Sequence, residues 1–414
     1  MKISRFFPTL VALAVAPLSA MNEGMATHFQ GVGYPYGACG VSDEVAATDG
    51  AMDTLTGQGN PFDYVALNVF DTPKRYDMPA ARPMKGADTV LIGAYDNGRN
   101  CGRWIRFELG DTCDGANDGA AGKEFCRGGT GWHPNAYTGS GGYAIVFDQC
   151  TDGNAWCRDS KWHLDLHTPI LGRLRKDGQL LPPMAWPVLD ASGKPQADAN
   201  NPWSIFYQVS GFLNPKISWE FVPAPNYQGE PRFYFSVDSK SWYYRVIVTH
   251  LENGIHGVEQ LVGTEWKPAR MEGDMGQLWI LPDPSTKTVT LRITDAHDKP
   301  VMAGRTWTMD FPTTCGTVCT KPATPAENVV GKGGEAASAT ARPAAGKLVR
   351  IGNRLMFPGQ GPDRQATWIS PNGTRIPMAI HQGMADIPRL APGAWTLAWK
   401  TPDGSAHRSH LIVP

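Results

Sequence analysis

Beyond its first twenty residues the sequence has no run approaching eighteen consecutive apolar residues, so no later segment is long enough to cross a bilayer as a helix. Charge of one sign is also missing. The 38 Lys and Arg against 39 Asp and Glu leave no basic footprint for a phosphate backbone, which excludes nucleic acid as the expected partner and favours a neutral polymer. Long Ala/Leu/Glu/Lys stretches at helical period are absent. No cysteine pair has Cys-x-x-Cys spacing, and Cys315 and Cys319 have no second pair nearby, so no metal site is expected. His163 and His167 stand four apart, but in a strand-like context they do not share a helical face. Gly128-Gly129-Thr130-Gly131 and Gly139-Ser140-Gly141-Gly142 lack the Lys and helix of a phosphate loop and read as turns. No cofactor is implied.

What is present begins with Lys2 and Arg5 ahead of an apolar run over 6–16, then Leu18-Ser19-Ala20, the pattern of a secretory signal peptide over 1–20. Cleavage after Ala20 would expose Met21, which disfavours a copper monooxygenase needing an amino-terminal histidine. Eight cysteines, an even set, agree with export and predict disulfides. Cys113 with Cys126 and Cys150 with Cys157 are close enough to close short loops; the remaining connectivity is open. Composition, with 46 Gly, 34 Pro, 14 Trp, 12 Tyr and 15 Phe, predicts an all-β, turn-rich protein.

The chain divides at composition changes. Residues 320–346, rich in Ala, Pro, Gly and Thr, read as a linker. A tail over 347–414 carries Trp368, an Asn372-Gly373 turn, Trp395 and Trp399, and reads as a small β domain whose tryptophans either pack a core or touch sugar. Within 21–319, Pro223-Ala224-Pro225 closes a strand and a new alternating pattern opens near Arg232, placing a boundary near 226 and giving domains over 21–225 and 226–319. Residues 172–212 lack clean periodicity and read as a surface insertion.

Two carboxylates interrupt apolar runs, Asp148 in Ile145-Val146-Phe147-Asp148-Gln149-Cys150 and Asp165 in His163-Leu164-Asp165-Leu166. On an extended segment Leu164 and Leu166 point to the core and Asp165 to the other face. An acid against a dry apolar wall resists ionisation and becomes a useful proton donor; the same spacing also suits a turn or capping aspartate.

Five motifs in order carry a resemblance: Gly24-Met25-Ala26-Thr27-His28-Phe29, Tyr36-Gly37-Ala38-Cys39-Gly40, Cys101-Gly102-Arg103-Trp104-Ile105, Val146-Phe147-Asp148, and His163-Leu164-Asp165-Leu166. Together they resemble the first domain of bacterial expansin-like proteins, a six-stranded double-psi β-barrel related to family 45 endoglucanases. The run from Trp219 to Pro225 resembles the last barrel strand and the interdomain joint. The resemblance implies that Thr27, Asp148 and Asp165 line an open groove, with Asp165 in the place of the endoglucanase proton donor. An aromatic common two residues beyond Asp148 is replaced by Cys150.

The second domain resembles the immunoglobulin-like, cellulose-binding β-sandwich of the same family. Ser241-Trp242-Tyr243-Tyr244 matches its paired aromatics; Met275-Gly276-Gln277-Leu278-Trp279 matches its Trp-Gly-Gln-x-Trp pattern, with Met275 where an aromatic is usual. A sugar-binding platform of Trp242, Tyr243, Met275 and Trp279 is implied. Strict alternation separates Trp242 from Tyr243, so both reach the surface only with a bulge or a late strand start.

An inverting hydrolase needs a base about 6.5–9.5 Å from the acid. In the endoglucanases that base follows the opening Thr by a few residues, whereas Thr27 is followed by His28-Phe29-Gln30-Gly31, with no acid. The resemblance therefore implies a secreted, monomeric protein that binds cellulose and associated plant wall polysaccharides and loosens them without hydrolysis. The alternatives are a family 45-like endoglucanase in which Asp148, Asp43 or Glu44 serves as base, a pure carbohydrate-binding protein, and a lytic transglycosylase using one acid.

Overall fold

The computed structural model describes residues 21–45, 52–53, 58–59, 63–197, 205–225, 227 and 229–334, with strands of the tail between 349 and 413. The signal segment lies outside the described residues. The chain is all-β: among the described residues α-helix is confined to 43–45 and to α1 (Ala155–Asp159), besides short 3-10 turns. Two units are distinguished, one built from residues up to Val330, and a second from Gly331–Pro414 with Asn226–Glu230 and Met302–Thr306.

In the first unit six strands close a barrel: β1 (Asn22–Phe29), β2 (Tyr64–Asn68), β3 (Trp104–Leu109), β4 (Gly141–Cys150), β5 (Leu164–His167) and β6 (Lys216–Val222). Around the ring the order is β4, β2, β5, β1, β6, β3 and back to β4. β1 runs parallel to β5 and β2 parallel to β4; the other neighbours are antiparallel. Period-two alternation fills the interior with Ala26, Val65, Leu67, Ile105, Phe107, Ala144, Val146, Leu164, Leu166, Ile217 and Trp219. Closure removes the sheet edges that would otherwise be left unpaired. The insertion over 172–212 contributes a hairpin, Ala185–Pro187 with Tyr207–Val209, that packs Ala185 against this core and leaves Trp186 and Phe206 exposed.

The same unit continues into a sandwich. One sheet is ordered β11 (Arg270–Glu272), β12 (Met275–Ile280), β8 (Arg245–Thr249), β7 (Arg232–Ser236), β15 (Ala323–Pro325). The other is β10 (Glu265–Pro268), β9 (Gly257–Val262), β13 (Thr288–Thr294), β14 (Thr306–Asp310), β16 (Glu327–Lys332). The expectation of a linker from 320 is corrected here. Small residues can serve an edge strand: Ala323 and Thr324 are buried under β7, and Pro325, which has no N–H to give, sits where β15 has a partner on one side only.

Barrel and sandwich touch through backbone. The Gln277 N–H donates to Cys39 O at 3.1 Å, and Tyr95 Oη lies 2.7 Å from both Ala38 O and Asp274 O. The approach is so close that a Cβ on Gly276 would collide with Gly98 O, and one on Gly98, where φ is +83°, with Asp274 O. Arg82 Nη2 reaches Asp274 Oδ2 at 2.6 Å across the same joint.

In the second unit the tail strands form a three-stranded sheet and a four-stranded one, the latter ordered Arg375–Ile380, Arg364–Ile369, Gly393–Lys400, Ala406–Val413. Trp368 is 1% exposed, with buried Ala366 and Leu397 in the same sheet, so this ring packs rather than meeting solvent. The side chains of Trp395 and Trp399 lie outside the described residues.

Candidate functional site: a carboxylate row and an exposed tryptophan

On the face of the barrel opposite its core, one register row crosses four strands. Thr27 on β1 pairs with Asp165 on β5, Asp165 with Ala66 on β2, and Ala66 with Asp148 on β4. The three groove residues expected from the resemblance share this row. Leu164 and Leu166 are buried in the core on either side of Asp165, so alternation alone turns Asp165 to the groove. Asp148 needs more. Val146 points to the core, and two residues on Asp148 would do the same, but Phe147 is an extra residue in a bulge between the Val65–Val146 and Ala66–Asp148 pairs. The bulge turns Asp148 outward beside Ala66.

Thr27 Oγ1 donates to Asp165 Oδ1 at 2.6 Å and lies 3.0 Å from His163 Nε2. A hydroxyl has one proton, so with that proton on Asp165 it accepts from His163, and Nε2 carries the hydrogen. His163 lies two residues before Asp165 on the same face, fully buried, and burial holds its pKa down at about 3, which keeps the ring neutral. The sequence marks His163 only by its spacing from His167 and as the first residue of the His163-Leu164-Asp165-Leu166 motif. The two-residue offset from Asp165 was the available signal for its place beside the acid.

Burial pushes the Asp165 carboxyl up to about 7; the Thr27 hydrogen bond opposes this, and the charges of Asp152 and Asp148 add to it. Asp148 is pushed up to about 6, again by burial first, against the Ala38 and Gln149 N–H groups that both donate to its Oδ1 at 3.0 Å. The row thus holds two carboxyls that favour the protonated state more than ordinary aspartates. Arg82, which bonds Gln149 as well as Asp274, draws Asp148 the other way and was not foreseen. Asp43, weighed as a distant base, is buried and accepts from Tyr64 Oη at 2.6 Å on the groove side of the barrel.

In the sandwich, β8 begins only at Arg245, so Trp242 and Tyr243 fall in the turn before it and Tyr244 enters the core. Trp242 is 65% exposed. Lys240 and Tyr243 exchange backbone hydrogen bonds at 2.8 Å, closing the turn. Ser241 N–H donates to Thr317 O and Cys319 N–H to Ser239 O, inside the loop closed by the Cys315–Cys319 disulfide, so a covalent staple holds the turn. The Trp242 and Tyr243 rings are 6.5 Å apart and tilted by 46°, and Lys240 Nζ lies 4.8 Å from the Trp242 ring.

The rest of the expected platform is corrected. Trp279, 4% exposed, packs within its sheet opposite Val246, because its strand is covered by the second sheet; its ring is closed to a ligand. Met275 is half-buried at the start of β12, against the barrel loop that holds Gly40. All eight cysteines are paired: Cys39–Cys101, Cys113–Cys126, Cys150–Cys157 and Cys315–Cys319. Both short loops expected from spacing are among them.

No protein-family model and no curated protein matches the chain. Among solved structures, an apo expansin of Clavibacter michiganensis overlaps 76% of this chain and 97% of its own at 16% identity, with a TM-score of 0.32. A mutant of a Clavibacter michiganensis expansin, in complex with cellohexaose, overlaps 68% of this chain and 88% of its own at 18% identity, also at 0.32. Overlap at that level carries no functional argument.

Proposed function

We propose that this is a secreted expansin-like protein that grips cellulose-type β-glucan through Trp242 and Tyr243 and loosens packed chains without cutting them. The observation that carries the reading is Trp242, a large apolar ring left 65% exposed on a disulfide-stapled turn. The C–H faces of a β-glucan are apolar, and stacking one ring on them is worth about 1–3 kcal/mol, a weak and reversible grip. A neutral balance of charge suits a neutral polymer. Four disulfides and the leader pattern over 1–20 suit an oxidising compartment.

The groove row supplies the second contact. Asp165, protonated below about pH 7, can donate to a sugar oxygen, and a protein that prefers displaced chains over packed ones lowers the packed population by its differential affinity. No turnover is required. The test pairs a wall-extension assay with a reducing-sugar assay on purified protein: creep without sugar release is expected, with creep lost in Trp242→Ala and in Asp165→Asn. Creep retained in both variants would end the proposal.

A second reading, an inverting β-glucan hydrolase, draws on one observation. Asp148 stands two strands from Asp165 in the same row, about 9.6 Å between Cα atoms from strand spacing, and is the more acidic of the two. Against it, Asp148 Oδ1 is committed to two backbone N–H groups, which blunts it as a base. Steady release of cello-oligosaccharides, abolished in Asp148→Asn, would favour hydrolysis.

A further inference from the structure

Beside the carboxylate row lies a second row on the same face, where Asn68 on β2 pairs with Cys150 on β4 and His163 precedes β5 by one residue. Cys150 is bonded to Cys157, and the two sulfurs and a ring nitrogen of His163 lie within 4.8 Å of one another. All three residues are buried, as is Asn68. His163 Nε2 is occupied by Thr27, which leaves Nδ1 as a bare lone pair, and Nδ1 has no hydrogen-bond partner. Asn68 Oδ1 is a second buried acceptor without a donor, although its Nδ2 is satisfied by Ser160 O at 2.7 Å.

Two buried electron pairs with no proton to meet them are costly, and one belongs to the ring that stands beside the two sulfurs. We infer that the Cys150–Cys157–His163 corner is a redox-gated site for a thiophilic divalent cation of the Zn2+ class. The gate is the disulfide. A dithiol reductant passes two electrons and two protons to the S–S bond and leaves as its own cyclic disulfide, giving two thiols; the cation then displaces both thiol protons to solvent and binds two thiolates. Tetrahedral zinc holds its sulfurs at about 2.3 Å and a histidine nitrogen at about 2.0–2.1 Å, so the donor atoms sit about 3.4–3.8 Å apart. The two sulfurs and a ring nitrogen already lie within 4.8 Å of one another, near that spacing. His163 Nδ1 supplies the third ligand with its tautomer already set by Thr27, and the fourth position falls to water, for which Asn68 Oδ1 is a free acceptor. This inference does not depend on the glucan reading.

The test uses the full mature chain with Cys113, Cys126, Cys315 and Cys319 changed to Ser, so that these two disulfides contribute no thiols. Zn2+ uptake is followed by competition with a chromophoric chelator, and Co2+ in place of zinc reports thiolate ligation by its charge-transfer band. The expected result is one Zn2+ per chain after dithiol treatment and none before. Adding Cys150→Ser/Cys157→Ser should abolish uptake and the cobalt band, and His163→Gln should weaken uptake at least tenfold while leaving the band. Should reduction unfold the chain, Zn2+ is expected to restore its native circular dichroism. No uptake after reduction, uptake unchanged in the Cys150→Ser/Cys157→Ser chain, or an unfolded reduced chain that Zn2+ leaves unfolded would each overturn the assignment.

Discussion

Thr27 and Asp165 are 138 residues apart in sequence and 2.6 Å apart at their side-chain oxygens, because β1 and β5 lie parallel and in register. The hydroxyl that donates to the acid also accepts from His163, so one small side chain sets the proton positions of two buried groups.

Replacing Thr27 by Val removes that hydroxyl at nearly constant volume. Asp165 and His163 then lose their shared partner, and the fold should weaken by about 1–3 kcal/mol. The Asp165 carboxyl should also titrate higher, since the Thr27 hydrogen bond lowers it. Carbon-detected NMR titration reads the second effect, and an unmoved carboxyl would contradict the hydrogen bond.

Asp165→Asn should stabilise the protein at pH 8 and do so less as pH falls. The native carboxyl titrates at about 7 against 3.8 for an ordinary aspartate, so between those values the native state holds a proton the unfolded chain has released. Wild-type stability from this group is therefore lost as pH rises through 7. An amide carries no such cost, and the gain should be on the order of 2 kcal/mol at pH 8, discounted for partial solvation, and vanish near pH 4. His163 runs the opposite way, losing stability as pH falls from 6.5 toward about 3. Subtracting the two melting curves at each pH cancels it.

Trp242→Ala and Trp279→Ala should separate binding from folding. Loss of the exposed Trp242 ring should weaken cellulose retention by about 5- to 160-fold, the factor for 1–3 kcal/mol, with an unchanged melting temperature. Loss of the buried Trp279 ring should cost about 3–5 kcal/mol of stability. Pull-down and urea unfolding on the same samples check both.

Arg82→Gln should loosen the joint between barrel and sandwich. Its ion pair with Asp274 is largely shielded from water, so leaving Asp274 unpaired should cost about 1–3 kcal/mol. Asp148 should titrate higher in the variant, because the Arg82 charge lowers it. Protease susceptibility of the joint gives an independent reading.

Several features were legible in the residues themselves. Leu164-Asp165-Leu166 alternates, and a period of two suffices to send the acid away from the core. Short spacings anticipated Cys113–Cys126 and Cys150–Cys157, since a short loop leaves a cysteine few distant alternatives. Cys39–Cys101, closing 62 residues, carries no such signal.

Other features were decided only when distant strands met. Asp148 obeys alternation toward the core until one extra residue in β4 turns it around, and a bulge is a property of two paired strands. Trp242 and Trp279 are the same residue type in similar company, yet one ends in a stapled turn and the other beneath a second sheet. Ala323 and Pro325 look like linker until β7 offers them an edge. Sequence by itself determined which residues prefer extended backbone and which face each presents, because those are local properties of the chain. Burial, register and hydrogen-bond partnership belong to pairs of segments far apart along it, and only the closed barrel and the stacked sheets decided those.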